Sequence, residues 1–416
     1  MDFMHVDSGC VAPRFRRGYT PRREGARMTD RERFVAVVRG EPCDYVPIFG
    51  FHGAPGVAAG CMRKTYERLL ATGMPDVGGC WELDGNPRNL EGWYRYWGTT
   101  GPIDPGFYPA EPAKGIASER RVEGGFEIVE YESGARTRQV IDNDITYSMP
   151  DFQVYHVRDR ASWKFYRDRM SPGPRWPADR IEAACRPLDD RTCPLSIYTG
   201  STWGIIREIM GPENASTVLY DDAGLAREIV AWEDWIRREN VFPLVERLRP
   251  EAVQCDEDIC YRGGMLISPA HFRELCSPSY REIASVARDC GVPMVAMDSD
   301  GNVMELIPLL AECGVNALYP FEAKPGNDLP TLRRRFPQFV LMGWLEKERL
   351  NEGNEGLIRG ELETKVPGLL ASGRYFPNGD HGIQPLVTFP NLCRFLTLLH
   401  ELTGNPEGEF PRMAPD

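Results

Sequence analysis

Acidic residues and histidines recur in this chain at one kind of place, directly after a short apolar run. Ala252-Val253-Gln254-Cys255 leads into Asp256-Glu257-Asp258, and Met294-Val295-Ala296-Met297 leads into Asp298-Ser299-Asp300. Tyr319 and Glu322 close the run that starts at Val315, Asp380 and His381 follow Arg374-Tyr375-Phe376-Pro377, and His52 follows Val46-Pro47-Ile48-Phe49. Carboxylates and imidazoles gathered from several strand ends can hold a metal ion or move protons. The competing explanation is that Asp and Ser after a strand cap the next helix. It covers any one of these residues. Three caps need not be two carboxylates and an imidazole, so Asp298, Asp300 and His381 together read as functional. His381, Glu322 and His52 are the candidate acid–base groups. Asp256 and Glu257 read as substrate-facing, because three adjacent acids in a core would be costly to desolvate. Tyr319 is a candidate to orient a substrate. Trp81, with Trp93 and Trp97, either lines an apolar substrate pocket or packs in the core.

Such groups work together only if the runs are strands of one sheet. The chain alternates accordingly. Helix 29–39 precedes strand 45–50, strand 195–200 precedes helix 202–210, and helical 224–248 precedes strand 252–256. The pattern repeats through strands at 293–298, 315–319, 339–343 and 374–377, each followed by a helical segment, the last at 386–402. Repeated βα units with short connections imply parallel strands wound right-handed. About eight units fit an α/β fold of the (β/α)8, or TIM, barrel type, whose chemistry sits at the carboxyl ends of the strands. A doubly wound open sheet is the alternative, but no Gly-x-Gly-x-x-Gly follows any strand. Residues 88–150 break the rhythm. The alternation in Phe126–Tyr131, a turn at Gly134 and Thr137–Ile141 read as a β-hairpin insertion, a lid or a contact in a homodimer.

Residues 1–27 carry arginines without apolar periodicity and read as a flexible extension. The folded region begins near Met28, where Thr29 and Glu32 have the spacing of a capping box. The barrel is expected over 28–408 and a short tail over 409–416. The arginines at 333–335 read as a solvated helix face.

Composition narrows the function. Of 416 residues, 42% are hydrophobic and 26% charged, as in globular proteins. With 49 basic and 61 acidic residues the net charge is −12, which argues against nucleic acid as the main partner. No apolar run reaches the roughly 18 residues of a membrane helix. The 12 cysteines are scattered without a Cys-x-x-Cys, which suits reduced thiols in a cytoplasmic protein.

Several segments, in order along 28–403, resemble the uroporphyrinogen decarboxylase superfamily. They are Arg31-Glu32-Arg33-Phe34 with Arg39-Gly40-Glu41-Pro42 and Val46-Pro47, Ser268-Pro269-Ala270-His271-Phe272, and Asp298-Ser299-Asp300-Gly301-Asn302. Gly314-Val315-Asn316 with Pro320-Phe321-Glu322 and the closing Asp380-His381-Gly382-Ile383 complete the set. The resemblance implies a (β/α)8 barrel and one of two chemistries: decarboxylation of a tetrapyrrole's acetate arms without a cofactor, or zinc-dependent methyl transfer to or from a corrinoid.

In the decarboxylases an Arg-Gln-Ala-Gly-Arg-Tyr segment at the first strand supplies arginines for substrate carboxylates. Here that place reads Phe49-Gly50-Phe51-His52-Gly53-Ala54-Pro55, with no arginine. An acidic chain without those guanidiniums is a poor match for a highly anionic substrate. The thiol methyltransferases of the superfamily carry His-x-Cys at one strand end and Cys at the last strand as zinc ligands. The matching positions here are Asp298, Asp300 and His381. The resemblance thus implies a divalent metal on Asp298, Asp300 and His381, with Zn2+ the first expectation and Fe2+ or Mn2+ compatible with so hard a donor set. The expected function is metal-assisted methyl transfer from a small O- or N-methylated substrate. The chain has no Asp-x-His-x-x-Gly cobalamin motif, so the corrinoid is expected on a partner protein. A cofactor-independent decarboxylase and a non-catalytic ligand-binding barrel are the alternatives.

Overall fold

The computed structural model describes residues 27–51, 56–81, 87–141 and 150–415. His52 therefore lies outside the described residues. The first helix, Asp30–Arg39, starts at Thr29 with both halves of the expected capping box formed. Its Phe34, Val37 and Val38 point into the inner face of the central sheet, beside Phe49, Ala252, Met294, Val340 and Phe376.

Four antiparallel strands form a meander: β1 Ser118–Glu123, β2 Phe126–Tyr131, β3 Arg136–Val140 and β4 Asp151–Val154. The expected hairpin is its centre, but the sheet reaches Val154, beyond the 88–150 span. Inside that span, Leu90–Trp97 is a helix rather than β structure. Trp93 and Trp97 from it are fully buried against Phe389 and Phe410, so they pack a core and do not line a pocket.

Six parallel strands follow, β5 Ser196–Tyr198, β6 Ala252–Asp256, β7 Met294–Asp298, β8 Ala317–Phe321, β9 Val340–Leu345 and β10 Tyr375–Gly379. They lie side by side in sequence order, with helices between them. Their outward side chains, including Val253, Cys255, Val295, Met297 and Leu341, pack under the helices, while alternate residues such as Ala252, Ala296, Ala317 and Met342 face inward. Burial on both faces explains the continuous apolar runs.

About eight parallel strands were expected, and among the described residues six regular ones lie in this sheet. Beyond β5, Ile103 bridges Leu195, and Thr100 of the same segment bridges Phe49. On the far side the contact from β10 to Phe49 is a side-chain one, Asn378 Nδ2 donating to the Phe49 carbonyl at 3.1 Å. Pro47 and Pro102 sit within these segments, and a proline cannot donate to a ladder.

One further expectation needs correction. Arg333 is not on a solvated face: it is buried and donates to the carbonyls of Pro337, Phe339 and Arg374. In the short tail 409–416, Phe410 is buried and the Glu409 N–H donates to the Tyr96 carbonyl. Among the described residues no helix is long and apolar enough to cross a membrane.

Just ahead of β6, Glu251 is 4% exposed and accepts from Arg31 Nε at 2.7 Å, Arg191 Nε at 3.0 Å and the Leu195 N–H at 2.9 Å. Replacing it with Ala leaves the buried Arg191 without its counter-charge. Glu251→Ala should lower unfolding free energy by about 3 kcal/mol, read from urea denaturation; a loss under ~1 kcal/mol would show that the network is not stabilising. His400 gives a second test. Burial, reinforced by Arg412, holds its pKa near 4, below the ordinary value. A depressed histidine stabilises the fold above pH ~6.5 and loses that contribution as pH falls through its folded pKa. Relative to His400→Leu, the wild type should therefore lose on the order of 3 kcal/mol between pH 7 and pH 4. Parallel pH–stability curves would rule the effect out.

Candidate active site

The registers of three neighbouring strands set the centre of the site. Asp298 of β7 pairs with Asp256 of β6 on one side and with Tyr319 of β8 on the other. All three share the inward parity of Ala252, Ala296 and Ala317. Adjacent strands are roughly 4.8 Å apart, so two carboxyls and a phenol stand in one row. Tyr319 is buried, and its ring stacks on Phe51 at 5.0 Å. Gly56 lies over the row, and a Cβ there would come within 3.4 Å of the Tyr319 hydroxyl.

The row is electrostatically strained. Burial, followed by repulsion from Asp256, Asp258 and Asp300, pushes the Asp298 carboxyl well above the usual carboxylate range, with Arg207 opposing only in part. Asp256 is exposed to solvent, yet desolvation with its neighbours Glu257 and Asp258 pushes it up to about 7. Asp298 thus keeps its proton to higher pH than an ordinary carboxyl, and Asp256 is near its midpoint at neutral pH.

Beside the row lies a pair of opposite character. His381 Nε2 is 3.4 Å from Asp300 Oδ1, with the two side chains 36% and 42% exposed. Burial alone would lower the imidazole pKa, but the hydrogen bond and charge of Asp300 raise it above the ordinary value. Burial would likewise raise Asp300, yet His381, then Lys347 and Arg207, bring it below its ordinary value. Each group thus favours the charged form of the other, imidazolium beside carboxylate.

The loops that present this pair are tied together. Glu322 accepts from the Gly301 N–H at 2.9 Å, next to Asp300. Asp380, 2% exposed and next to His381, accepts from the backbone N–H of Ala323 at 3.0 Å and of Lys347 at 3.1 Å. The Lys347 ammonium lies between them, 3.7 Å from Glu322 and 3.9 Å from Asp380. Lys347 escaped the sequence reading, although it too follows a strand; a search limited to acids and histidines passes over it. Arg207, which donates to Asp258 at 2.8 Å, escaped for the same reason.

Two expected site residues have other tasks. Glu257 is fully buried and faces away from any ligand. Its carboxylate accepts from the backbone N–H groups of Thr202 at 2.5 Å and Gly204 at 2.7 Å, at the start of helix Trp203–Met210, and from the Tyr280 hydroxyl. Trp81 is 6% exposed, and its indole N–H donates to the Ala59 carbonyl at 2.6 Å, so it packs inside.

The expected metal set is not assembled. Among the described residues no group of three or more His, Cys, Asp or Glu side chains is placed to hold a metal ion. Asp300 is paired with His381, and Asp298 lies in the row with Asp256 and Tyr319. A cavity of about 1010 Å³ lies elsewhere, against residues that precede strands, among them Tyr45, Thr192 and Cys193. It is remote from these carboxylates.

Residues 183–402 match the family model of uroporphyrinogen decarboxylase (URO-D). Among solved structures, a methyltransferase from Methanosarcina mazei is similar to this chain, with a TM-score of 0.51 and 13% sequence identity over 88% of this chain and 96% of that one. At that identity the likeness is one of fold. No curated protein matches the sequence.

The Asp300–His381 pairing can be tested directly. Asp300→Asn removes the largest contributions that raise the His381 pKa, while burial, Lys347 and the smaller opposing pull of Glu322 remain. The imidazole should then titrate lower than in the wild type, as followed by NMR. An unmoved titration curve would show that the two side chains are not coupled.

Proposed function

The chain belongs to the uroporphyrinogen decarboxylase family, and from that premise we propose that it is an enzyme moving a methyl group from a small O- or N-methylated donor to a corrinoid carried by a separate protein. We take its fold to be a (β/α)8 barrel, the bridge segments at Phe49 and Thr100–Ile103 filling the two remaining strand positions. In support, β5 to β10 run in sequence order and the bridges continue the sheet from β5 round to Phe49, where Asn378 of β10 reaches it.

The observation that carries the chemical reading is Asp298 in register between Asp256 and Tyr319 at the strand ends, its carboxyl pushed above the usual range. A carboxyl so raised is suited to act as a general acid. When the methyl–heteroatom bond breaks, its electron pair stays on the donor's oxygen or nitrogen, and Asp298 supplies a proton to that atom where it is not already protonated. Asp256, near its midpoint, can return a proton to Asp298. The Asp300–His381 pair at the solvent edge presents a fixed dipole to the polar end of the donor. The mouth stays open around this pair, so a cofactor carried by another protein can approach; a corrinoid there would supply the nucleophile that accepts the methyl group.

Decarboxylation of an acidic substrate would use the same proton donor. Charge disfavours it, because Asp256, Asp258, Asp298, Asp300 and Glu322 surround the place where substrate carboxylates would have to sit.

The test is to incubate the protein with reduced cobalamin, or a corrinoid protein, and a panel of O-methyl and N-methyl compounds, following methylcobalamin formation, with uroporphyrinogen decarboxylation assayed alongside. Methyl transfer is expected with at least one donor class. With an O-methyl donor, Asp298→Asn should slow it by roughly 10²–10⁴-fold, and the wild-type rate should fall as pH rises through the raised Asp298 pKa. Uroporphyrinogen turnover without methyl transfer would reverse the assignment, and an Asp298→Asn variant as fast as wild type would remove Asp298 as the acid.

A further inference from the structure

On one wall of the mouth, three polar side chains have no partner among the described residues. Glu233 lies on helix Ala223–Ile236, and its carboxylate occupies the space that a Cβ on Gly200 would need. Gly200 has a φ of +78°, and as glycine it lets the carboxylate lie against the backbone just beyond Tyr198. Among the described residues no hydrogen bond or ion pair reaches the Glu233 carboxylate. The nearby Arg237 does not neutralise it by contact, since its guanidinium is directed to the carbonyls of Thr199 and Ser201 and to Asp234.

Two tyrosines lie within electrostatic reach of this carboxylate. Tyr198 ends β5 with inward parity, in register with Gln254. Tyr108 follows the Thr100–Ile103 segment. Their side chains remain 36% and 37% exposed, and among the described residues neither hydroxyl has a hydrogen-bond partner. Each ring is close enough to Glu233 to feel its charge, and Tyr198 also feels that of Asp256, which joins this wall to the acid row.

We propose that this wall is a subsite for an organic cation, a protonated or methylated amine, with Glu233 as counter-charge and the rings of Tyr108 and Tyr198 as its aromatic sides. This rests on reading the strand-end mouth as the substrate site and narrows the donor to molecules that carry a positive charge. An anion would meet Glu233 and Asp256 and be repelled. A neutral molecule would leave the Glu233 carboxylate uncompensated. A small, strongly hydrated metal ion would need several oxygen ligands at short range, whereas a bulky ammonium is matched by ring faces plus one carboxylate. Glu233 is itself held up to about 7, by burial first and then by Asp234 and Glu208 against Arg237, so an arriving cation relieves an existing penalty.

The experiment compares choline with 3,3-dimethylbutan-1-ol, which has its shape without its charge, by calorimetric titration of the full chain without any methyl acceptor. Choline should bind at least about tenfold more tightly than the alcohol. Glu233→Gln should abolish that difference, and Tyr198→Leu should weaken choline binding while Tyr198→Phe retains it, with thermal melting confirming that each variant is folded. Equal affinity for the two probes, no binding of choline, or a Glu233→Gln variant that keeps the preference would each overturn the proposal; if Glu233→Gln does not fold, the Tyr198 pair decides. Because no methyl transfer is involved, a failure of the methyltransferase reading and a failure of this subsite are separate results.

Discussion

The site depends on the in-register pairing of β6, β7 and β8. Side chains alternate across a strand, so one register decides which residues share the inner face. With Asp298 opposite both Asp256 and Tyr319, two carboxyls are forced together at the strand ends. Neither can move away, because the backbones are fixed by ladders. Proton uptake is then the least costly response. The neutral acid at the centre of the proposed chemistry follows from strand geometry, and a slip of one residue would turn the same groups into the helix layer.

The same inner face shows how the rest of the sheet supports that row. Toward the amino ends of the strands, small residues such as Ala252, Ala296 and Ala317 leave space that large aromatics fill from the other side. Phe34 of the first helix lies 4.8 Å from Phe49 and 5.4 Å from Phe376, ring centre to ring centre. This packing closes one end of the sheet's interior with carbon. The polar groups are left at the other end, where ligands can enter.

Several buried carboxylates in this protein have opposite fates, and the number of donors aimed at each decides which. Glu251 meets two guanidiniums and a backbone N–H, Glu257 meets two N–H groups and two hydroxyls, and Asp380 meets two N–H groups with an ammonium nearby. These brace loops and strand starts. Among the described residues Asp298 and Glu233 have no such donors, and Glu233 has only the charge of Arg237 to oppose its burial. Carboxylates that look alike in sequence are thus divided between scaffold and chemistry by what surrounds them.

Much of the architecture was legible in the sequence because it is local. The capping box of Thr29 and Glu32 spans three residues, and the apolar runs that became β5 to β10 announce themselves by length and by the acids that end them. The order of those runs with helices between them suffices for a parallel α/β sheet. Asp256, Asp298, Tyr319, Asp300 and His381 were found as a set because all stand at strand ends. What could not be read is whatever depends on partners distant in sequence. Glu257 and Asp256 are neighbours in the chain, yet one turns outward to a helix start some 55 residues away and the other inward to the mouth. Arg333 looked solvated until Arg374, 41 residues on, supplied a carbonyl for it. Lys347 acquires its place only once Glu322 and Asp380 arrive from two other strands. Periodicity and capping act over a few residues and leave their mark on composition, whereas protonation, pairing and burial are set by distances across strands, which the chain acquires only on folding.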